Sequence, residues 1–330
     1  MSTDKIPDLP YVFVVGCPRS GTTLLQRMLD AHPMLAVAND THFIPQAIEK
    51  VRAGDETLLS AERVEFVRNY KRTARLGIDL RAVDRAAAET NSYTEFVSAL
   101  YAEMAKFHGK PLAGEKTPDY VRHIPLLHRL FPNARFVHII RDGRDVALST
   151  LQWAHEHKGP GRFDLWQDQP LAVCALWWAW QVGSGHQAGV QIGPRHYLEL
   201  LYEDLTSEPE TQLRRVSEFL DLPYAPEMVN FHAGKSRAGM NLSAKQAWLP
   251  ATSGLRDWRK DLSTIDQALF DALSGTLLQD LGYQRHADAI DDDVALTAQR
   301  CQHWWQQEML RRERKRSNRS VAKNQNDSRI

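Results

Sequence analysis

One short stretch constrains the fold more than any other part of this sequence. The apolar run Tyr11–Val15 leads directly into GCPRSGTT at residues 16–23. An apolar run that ends in glycine is typical of a buried parallel strand. Apolar residues at helical spacing follow, and His32 with the proline after it ends them. The order of strand, glycine loop and helix predicts an α/β fold whose loop points backbone N–H groups at an anion such as phosphate.

Two later apolar runs, Arg135–Ile140 and His196–Glu203, predict further buried strands. Strands that alternate with helices predict a parallel sheet flanked by helices, as in other folds with a phosphate-binding loop (P-loop). Residues 46–108 are rich in helix-forming residues and show no strong strand. The predicted organisation is a flexible N-terminus at 1–8, one domain at 9–287 with a helical insertion at 46–108, a C-terminal helix at 288–315 and a disordered basic tail at 316–330.

Composition excludes several classes of protein. The 41 basic and 41 acidic residues balance, so the net charge does not indicate a nucleic-acid partner. The three cysteines are too scattered for a disulfide framework or for paired metal ligands. The N-terminus MSTDKIPDLP has no signal-peptide core, and no window reaches the roughly 18 apolar residues of a membrane span. We therefore expect a cytoplasmic protein with no membrane span. The sequence leaves the oligomeric state open, and a homo-oligomer is one of the alternatives.

The loop departs from the version that hydrolyses ATP or GTP. Thr22 follows the second glycine, where those loops carry the lysine that contacts the β and γ phosphates. Arg19 lies inside the loop instead. The strand Arg135–Ile140 leads into Arg141 rather than into an acidic residue for magnesium, and Ser149 follows eight residues later. Arg141 alone would equally fit a surface ion pair, but with Ser149 it predicts a second phosphate site. Together the two sites predict a ligand with two separated phosphates, bound without a metal.

Four motifs, in order, resemble one known family. PRSGTTLLQRMLDAHP and RDGRDVALS resemble the 5′-phosphosulfate loop and the 3′-phosphate motif of the sulfotransferases that use 3′-phosphoadenosine 5′-phosphosulfate (PAPS). GEKTPDY at 114–120 and YEDLTSEPE at 202–210 resemble further segments of that family. The motif style is most similar to that of the tyrosylprotein and bacterial sulfotransferases. The resemblance implies one α/β domain, PAPS as co-substrate, no metal, and a small-molecule or peptide acceptor.

The resemblance also implies which residues hold the co-substrate. Those matched to the 5′-phosphosulfate loop are Arg19, Ser20, Gly21, Thr22 and Thr23. Those matched elsewhere are Arg141 and Ser149 at the 3′-phosphate, Tyr202 near the adenine, Ser243 near the transferred group, and Trp258 with Lys260 along the site.

Sulfuryl transfer needs positive charge where negative charge develops, and a base for the acceptor proton. Arg19 and Lys116 are the candidates for the charge, and Lys116 follows a short run, LAGE, that fits a strand. In the small-molecule branch the base is a histidine two residues after that lysine, and here Pro118 stands there. Asp40 stands where the tyrosylprotein branch carries a glutamate, so we favour Asp40 as the base. His42, with an ordinary pKa of about 6.5, is the rival.

Two other functions compete with transfer from PAPS. A P-loop kinase that uses ATP is disfavoured by Thr22 in the lysine position and by Arg141 after the strand. A non-catalytic binder of adenosine 3′,5′-bisphosphate is disfavoured by Lys116 and by the acid and histidine at Asp40 and His42, which binding alone would not require. The sequence does not identify the acceptor.

Overall fold

The chain divides into two compact units. The first consists of Met1–Arg141 and Gln181–Leu255, and the second of Asp142–Trp180 and Arg256–Ile330. The sequence predicted one domain at 9–287, and this division runs through that range. The computed structural model describes residues 9–51, 54–154, 158–233, 256–285 and 290–327, with side chains as far as residue 315.

The first unit is built on a parallel sheet. Its strands are β1 (Val12–Val15), β2 (Leu35–Asn39), β3 (Leu112–Lys116), β4 (Arg135–Ile140) and β5 (Tyr197–Leu201). Within the described residues these five strands have the order β2-β3-β1-β4-β5, and each neighbouring pair is parallel. The predicted α/β fold with a parallel sheet is therefore confirmed.

Helices make up most of the remaining described chain. None of them is both long enough and apolar enough to cross a membrane. In chain order the α-helices of the described residues are α1 (Thr22–Asp30), α2 (Phe43–Lys50), α3 (Ala61–Asn69), α4 (Leu80–Glu89), α5 (Tyr93–Phe107), α6 (Ile124–Leu130), α7 (Gly143–Trp153), α8 (Pro170–Ile192), α9 (Tyr202–Ser207), α10 (Pro209–Phe219), α11 (Trp258–Asp261), α12 (Thr264–Ser274), α13 (Leu277–Asp280) and α14 (Asp292–Asp327).

Both faces of the sheet are covered by apolar side chains. Phe13 and Val15 of β1 belong to one buried cluster, which includes residues of α2, α5 and α6. Val12 and Val14 belong to a second cluster with residues of α1 and α10. Successive side chains of a strand point to opposite faces, so a strand covered on both faces must be apolar at every position. That requirement is the physical reason for the continuous apolar run in the sequence.

The described part of the second unit is helical. Arg144, near the start of α7, is buried and has Asp142 at 2.8 Å and Asp271 at 3.3 Å. The indole ring of Trp305 in α14 lies 4.7 Å from the ring of Phe163 and 6.1 Å from that of Trp180. Through these aromatic contacts α14 packs against other residues of the second unit.

Three elements differ from the sequence-based expectations. The strand β2 was not predicted, because two of its five residues are alanine, which is depleted in strands, and the run closely follows a helix end and a proline. The strand expected at His196–Glu203 ends at Leu201, and Tyr202 begins α9. The C-terminal helix, expected to end at 315, continues to Asp327. Residues 316–327 contain no proline or glycine, so nothing in their backbone chemistry ends the helix earlier.

Candidate active site

Each strand of the sheet delivers a predicted site residue at its carboxyl end. β1 leads into the loop at 16–23, β2 into Asp40, β4 into Arg141 and β5 into Tyr202, while Lys116 is the last residue of β3. Because the strands are parallel, these ends lie along one edge of the sheet. The chain leaves β1 and β4, which are neighbours, toward opposite sides. The edge between them is thus a topological switch point, where open α/β sheets bind their ligands.

The loop after β1 has the geometry of an anion site. Gly21 precedes α1 with a φ of 92°, and its lack of a side chain leaves the first turn of α1 without a side-chain cap. The N–H groups of a helix's first turn have no acceptor within the helix and carry partial positive charge. The hydroxyl of Ser20 is fully buried and has no hydrogen-bond partner within the described structure. A phosphate or sulfonate oxygen in the loop would satisfy these donors.

Arg141 and Tyr202 lie beside this loop. A Cβ atom on Gly21 would come within 2.4 Å of the Tyr202 ring, so only glycine allows this ring to cover the loop. The guanidinium carbon of Arg141 lies 4.5 Å from the centre of the same ring. Both side chains are buried. The fold therefore brings the cation that follows β4 and the aromatic ring that follows β5 next to the phosphate loop.

Lys116 connects the loop to the predicted base. Its Nζ atom donates hydrogen bonds to Asp40 Oδ1 at 3.1 Å and to Thr23 Oγ1 at 3.4 Å. The register of the sheet makes this possible, because Lys116 is paired with Val14 on β1 and with Asn39 on β2. The ammonium group is almost completely buried, and burial lowers the pKa of Lys116 while the carboxylate of Asp40 opposes that shift.

Backbone strain is concentrated in the two loops that hold predicted catalytic groups. Among the described residues, the non-glycine residues with a left-handed φ are Arg19 at 81°, Asp40 at 58°, His42 at 60° and Asp221 at 51°. Three of these four follow β1 or β2 at the carboxyl edge of the sheet. A non-glycine residue in this region costs roughly 1–3 kcal/mol, and such residues cluster at functional sites.

A buried carboxyl holds the strained turn between Asp40 and His42. Glu115 Oε1 accepts hydrogen bonds from the backbone N–H of Thr41, at 3.1 Å, and from the hydroxyl of Thr117. Its Oε2 atom accepts a hydrogen bond from the hydroxyl of Tyr101 at 2.7 Å. Burial raises the pKa of Glu115, and these three donors oppose the shift. Sequence reasoning missed Glu115, because nothing in the sequence indicates that residues 74 positions apart are in contact.

His42 lies in the same turn but in a different electrostatic setting. Burial, followed by the nearby positive charge of Arg72, lowers the pKa of His42 to about 4. An imidazolium formed there by taking a proton would be poorly solvated and close to like charge. His42 is therefore a weaker candidate for the base than Asp40, whose carboxylate becomes neutral when it takes a proton.

The remaining predicted residues belong to the second unit or fall outside the described residues. Ser149 is buried in α7 and Trp258 is buried in α11, both in the second unit, so the pairing of Ser149 with Arg141 stays a prediction. The ring of Trp258 lies 3.6 Å from the guanidinium carbon of Arg144. Lys260 is 81% exposed in its side chain and forms an ion pair with Asp257 at 3.1 Å. Ser243 lies outside the described residues.

Comparison with known proteins finds relatives that share most of this chain. A profile of the sulfotransferase family matches residues 10–226. The chain is 27% identical to protein-tyrosine sulfotransferase A of Caenorhabditis elegans over 286 residues, which cover 84% of this chain and 68% of that protein. It is 28% identical to the protein-tyrosine sulfotransferase of Drosophila melanogaster over 222 residues, which cover 66% of this chain but only 39% of the fly protein.

A solved structure shares the fold. The sulfotransferase domain from the curacin biosynthetic pathway matches with a TM-score of 0.54 and 21% identity, covering 85% of this chain and 99% of that domain. The family profile covers well over half of the 330 residues and includes the phosphate loop, Asp40, Lys116, Arg141 and Tyr202. This chain belongs to the sulfotransferase family.

Proposed function

We propose that this protein transfers the sulfuryl group of PAPS to a hydroxyl or amine of an acceptor, with Asp40 as the general base. The observation that carries the proposal is the position of Lys116, whose ammonium group contacts both the phosphate loop, at Thr23, and the carboxylate of Asp40. One buried cation thus connects the place where the donor binds to the place where the acceptor loses its proton.

The site fits the phosphosulfate end of PAPS on two observations. The uncapped first turn of α1 offers N–H donors, and the buried hydroxyl of Ser20 has no hydrogen-bond partner among the described atoms. Arg141 and the ring of Tyr202 are placed at the edge of the same loop, where the nucleoside and its 3′-phosphate would extend. Participation of Ser149 and Trp258 from the second unit follows from the family resemblance and is part of the proposal.

The reaction is an in-line displacement at sulfur. As the acceptor oxygen forms its bond to sulfur, the bond from sulfur to the 5′-phosphate oxygen breaks, and Asp40 takes the acceptor proton. Negative charge develops on the leaving phosphate oxygen and on the sulfonate oxygens. Lys116, Arg19 and the N–H groups of the loop supply donors there, and donors fixed in advance are the most effective form of such stabilisation. The products are the sulfated acceptor and adenosine 3′,5′-bisphosphate, and Asp40 returns its proton to solvent.

The acceptor to test first is a peptide tyrosine. The relatives described above include proteins named protein-tyrosine sulfotransferases, and the phenol of tyrosine is a hydroxyl acceptor that a carboxylate base suits. A small-molecule hydroxyl or amine is the alternative acceptor, and the geometry of the donor loop does not distinguish between them.

The test is turnover of PAPS labelled with ³⁵S by the purified full chain. It would be offered tyrosine peptides and a panel of small phenols, alcohols and amines. We expect label to move to at least one acceptor, with adenosine 3′,5′-bisphosphate as the other product. If the chain binds adenosine 3′,5′-bisphosphate but moves no label to any acceptor or to water, the non-catalytic alternative replaces the proposal. If it instead moves the γ-phosphate of ATP, the kinase alternative does.

A further inference from the structure

The turn that carries Asp40 is contacted from outside by one arginine of the helical insertion. Arg75 lies in a short 3₁₀ helix, Thr73–Leu76, between α3 and α4. Thr73 and Leu76 of that helix are buried, so its placement beside β2 is fixed by packing. The side chain of Arg75 is 39% exposed and therefore reaches the turn from the solvent side.

Arg75 makes three contacts with the end of β2 and the residue after it. Its Nη1 atom donates hydrogen bonds to the carbonyl oxygen of Asp40 at 3.0 Å and to that of Asn39 at 3.3 Å. The same atom lies 3.6 Å from Asp40 Oδ2. Because β2 is the edge strand of the sheet among the described residues, carbonyl groups on its outer side have no described strand to bind, and a guanidinium with several donors can take that place.

The carboxylate of Asp40 is therefore shared between two cations of different kinds. Lys116, which is buried, holds Oδ1 and also contacts the phosphate loop. Arg75, which is partly exposed, faces Oδ2 and holds the backbone on either side of it. When a donor occupies the loop, the developing charge on its phosphate competes with Asp40 for the ammonium group of Lys116. The contacts of Arg75 do not involve the loop, so donor binding leaves them in place.

From this arrangement, and resting on the proposed role of Asp40 as base, we infer that Arg75 is a positioning residue that keeps the Asp40 carboxylate oriented toward the acceptor while Lys116 engages the donor. The helical insertion thereby acts on the chemical step through Asp40. Its hydrogen bonds to the carbonyl groups of Asn39 and Asp40 add to the contact by which Glu115 holds the left-handed turn.

The first test is kinetic and uses Arg75→Ala with Arg85→Ala as its matched control. Arg85 lies in the same insertion, is more exposed, and forms an ion pair with Glu103 at 3.0 Å. We expect Arg75→Ala to lower kcat about ten- to a hundredfold, because a small displacement of a catalytic group has effects of this size. The KM for PAPS and the affinity for adenosine 3′,5′-bisphosphate should not change. Arg85→Ala should behave as the wild type.

Two further measurements separate positioning from general loss of structure. Guanidinium chloride, added well below denaturing concentrations, should restore part of the kcat of Arg75→Ala and have no such effect on Asp40→Asn. Arg75→Lys should recover only part of the rate, since an ammonium group cannot reproduce the guanidinium's planar set of donors. If Arg75→Ala matches Arg85→Ala in kcat, or loses nucleotide affinity along with kcat, the inference is wrong.

A final measurement does not depend on activity. Hydrogen exchange of the backbone amides at residues 41–44, two of which donate to Glu115 and to the hydroxyl of Tyr120, should be faster in Arg75→Ala than in Arg85→Ala. Equal exchange would show that Arg75 does not hold the turn, and would overturn the inference even in a chain with no transferase activity. If exchange rises but the wild type transfers no sulfuryl group, the proposed function fails while the structural role of Arg75 stands.

Discussion

At the scale of single residues, the choice between Asp40 and His42 rests on what each becomes after taking a proton. Asp40 becomes neutral, whereas His42 would become a buried cation, and its pKa of about 4 reflects that cost. We expect Asp40→Asn, which keeps the size of the side chain, to lower kcat at least about a hundredfold, since general-base catalysis contributes roughly 10²–10⁴-fold. The affinity for adenosine 3′,5′-bisphosphate, measured by calorimetry, should stay nearly unchanged.

The matched variant for this prediction is His42→Ala, two residues away in the same turn. It should cost much less in kcat than Asp40→Asn. If the His42→Ala variant is inactive while the Asp40→Asn variant keeps its activity, the assignment is reversed and the histidine is the base. If both variants lose nucleotide affinity, the turn supports the loop and neither residue has been tested as a base.

Gly21 gives a second prediction at this scale. Its φ of 92° disfavours any side chain, and a Cβ atom there would lie 2.4 Å from the ring of Tyr202. Gly21→Ala should therefore displace the ring that covers the loop and weaken adenosine 3′,5′-bisphosphate binding at least about tenfold, or roughly 1.4 kcal/mol. Calorimetric titration of the folded variant measures this.

Gly109 is the control that separates the two effects. Its φ is 64°, but a Cβ atom there would meet no atom within 4 Å. Gly109→Ala therefore carries the conformational cost alone, about 1–2 kcal/mol of stability, with no effect on nucleotide affinity. Similar affinities for the two variants would mean that the contact between Gly21 and Tyr202 does not shape the site.

At the scale of elements, how well the sequence predicts a strand depends on which residue types form its apolar run. β1 and β4 were found from their sequences because both of their faces are covered and their apolar runs are continuous. β2 is also buried but was missed, because alanine, which is depleted in strands, makes up two of the five residues of LAVAN. The site was predicted where motifs mark strand ends. It was missed at Glu115 and Arg75, whose contacts with the turn are made by folding alone.

The pairing of β4 and β5 with the C-terminal part of α8 creates a buried polar chain. The hydroxyl of Tyr197 donates to Glu199 Oε1 at 2.8 Å, so it must accept from His138 Nδ1, which lies 2.6 Å away. Gly189 allows α8 to pack closely against Tyr197, since a Cβ atom at residue 189 would lie 2.1 Å from the ring of that tyrosine. Burial lowers the pKa of His138 to about 4, and Glu199 opposes the shift. His138 is therefore neutral in the folded protein at neutral pH.

This histidine makes stability depend on pH. Between pH 6.5 and 4 the unfolded chain holds a proton on His138 that the folded protein does not, so the free energy of unfolding falls as pH falls. Neutral His138 contributes its full stabilisation above pH 6.5. Below that pH the free energy of unfolding falls by up to about 1.4 kcal/mol per pH unit until about pH 4. Urea unfolding of His138→Asn at several pH values should show a shallower slope than the wild type.

The control for this prediction is His108→Asn, because His108 is exposed at the end of α5. Its slope should equal that of the wild type. Some acid sensitivity should persist in His138→Asn, since the pKa of His42 is also lowered to about 4. Identical slopes for His138→Asn and the wild type would mean that His138 titrates alike in the folded and unfolded chains.

At the scale of the whole molecule, the family can be identified from the sequence, but the acceptor cannot. The donor loop consists of contiguous residues whose backbone geometry is dictated by glycines and a helix start. The surroundings of the proposed base combine Asp40, Arg75, Glu115 and Tyr120, which lie on four different segments of the chain. A pocket of that kind depends on tertiary packing, and no local pattern records it.

In the proposed reaction, the charge that offsets the developing phosphate charge comes from side chains, and this predicts how the whole enzyme responds to metals. The loop has Thr22 where nucleotide-hydrolysing loops have the lysine that precedes the magnesium-binding hydroxyl, and β4 leads into Arg141 rather than an acid. Lys116 contacts the loop at Thr23, and Arg19 lies within the loop. We expect kcat with PAPS to be unchanged in excess chelator. Magnesium should have no effect beyond that of its ionic strength, which a matched sodium salt would reproduce.

Lys116→Met should lower kcat strongly, and magnesium should not restore it. A rate that is lost in chelator and recovered with magnesium would show instead that a metal ion, and not Lys116, carries the charge of the leaving group.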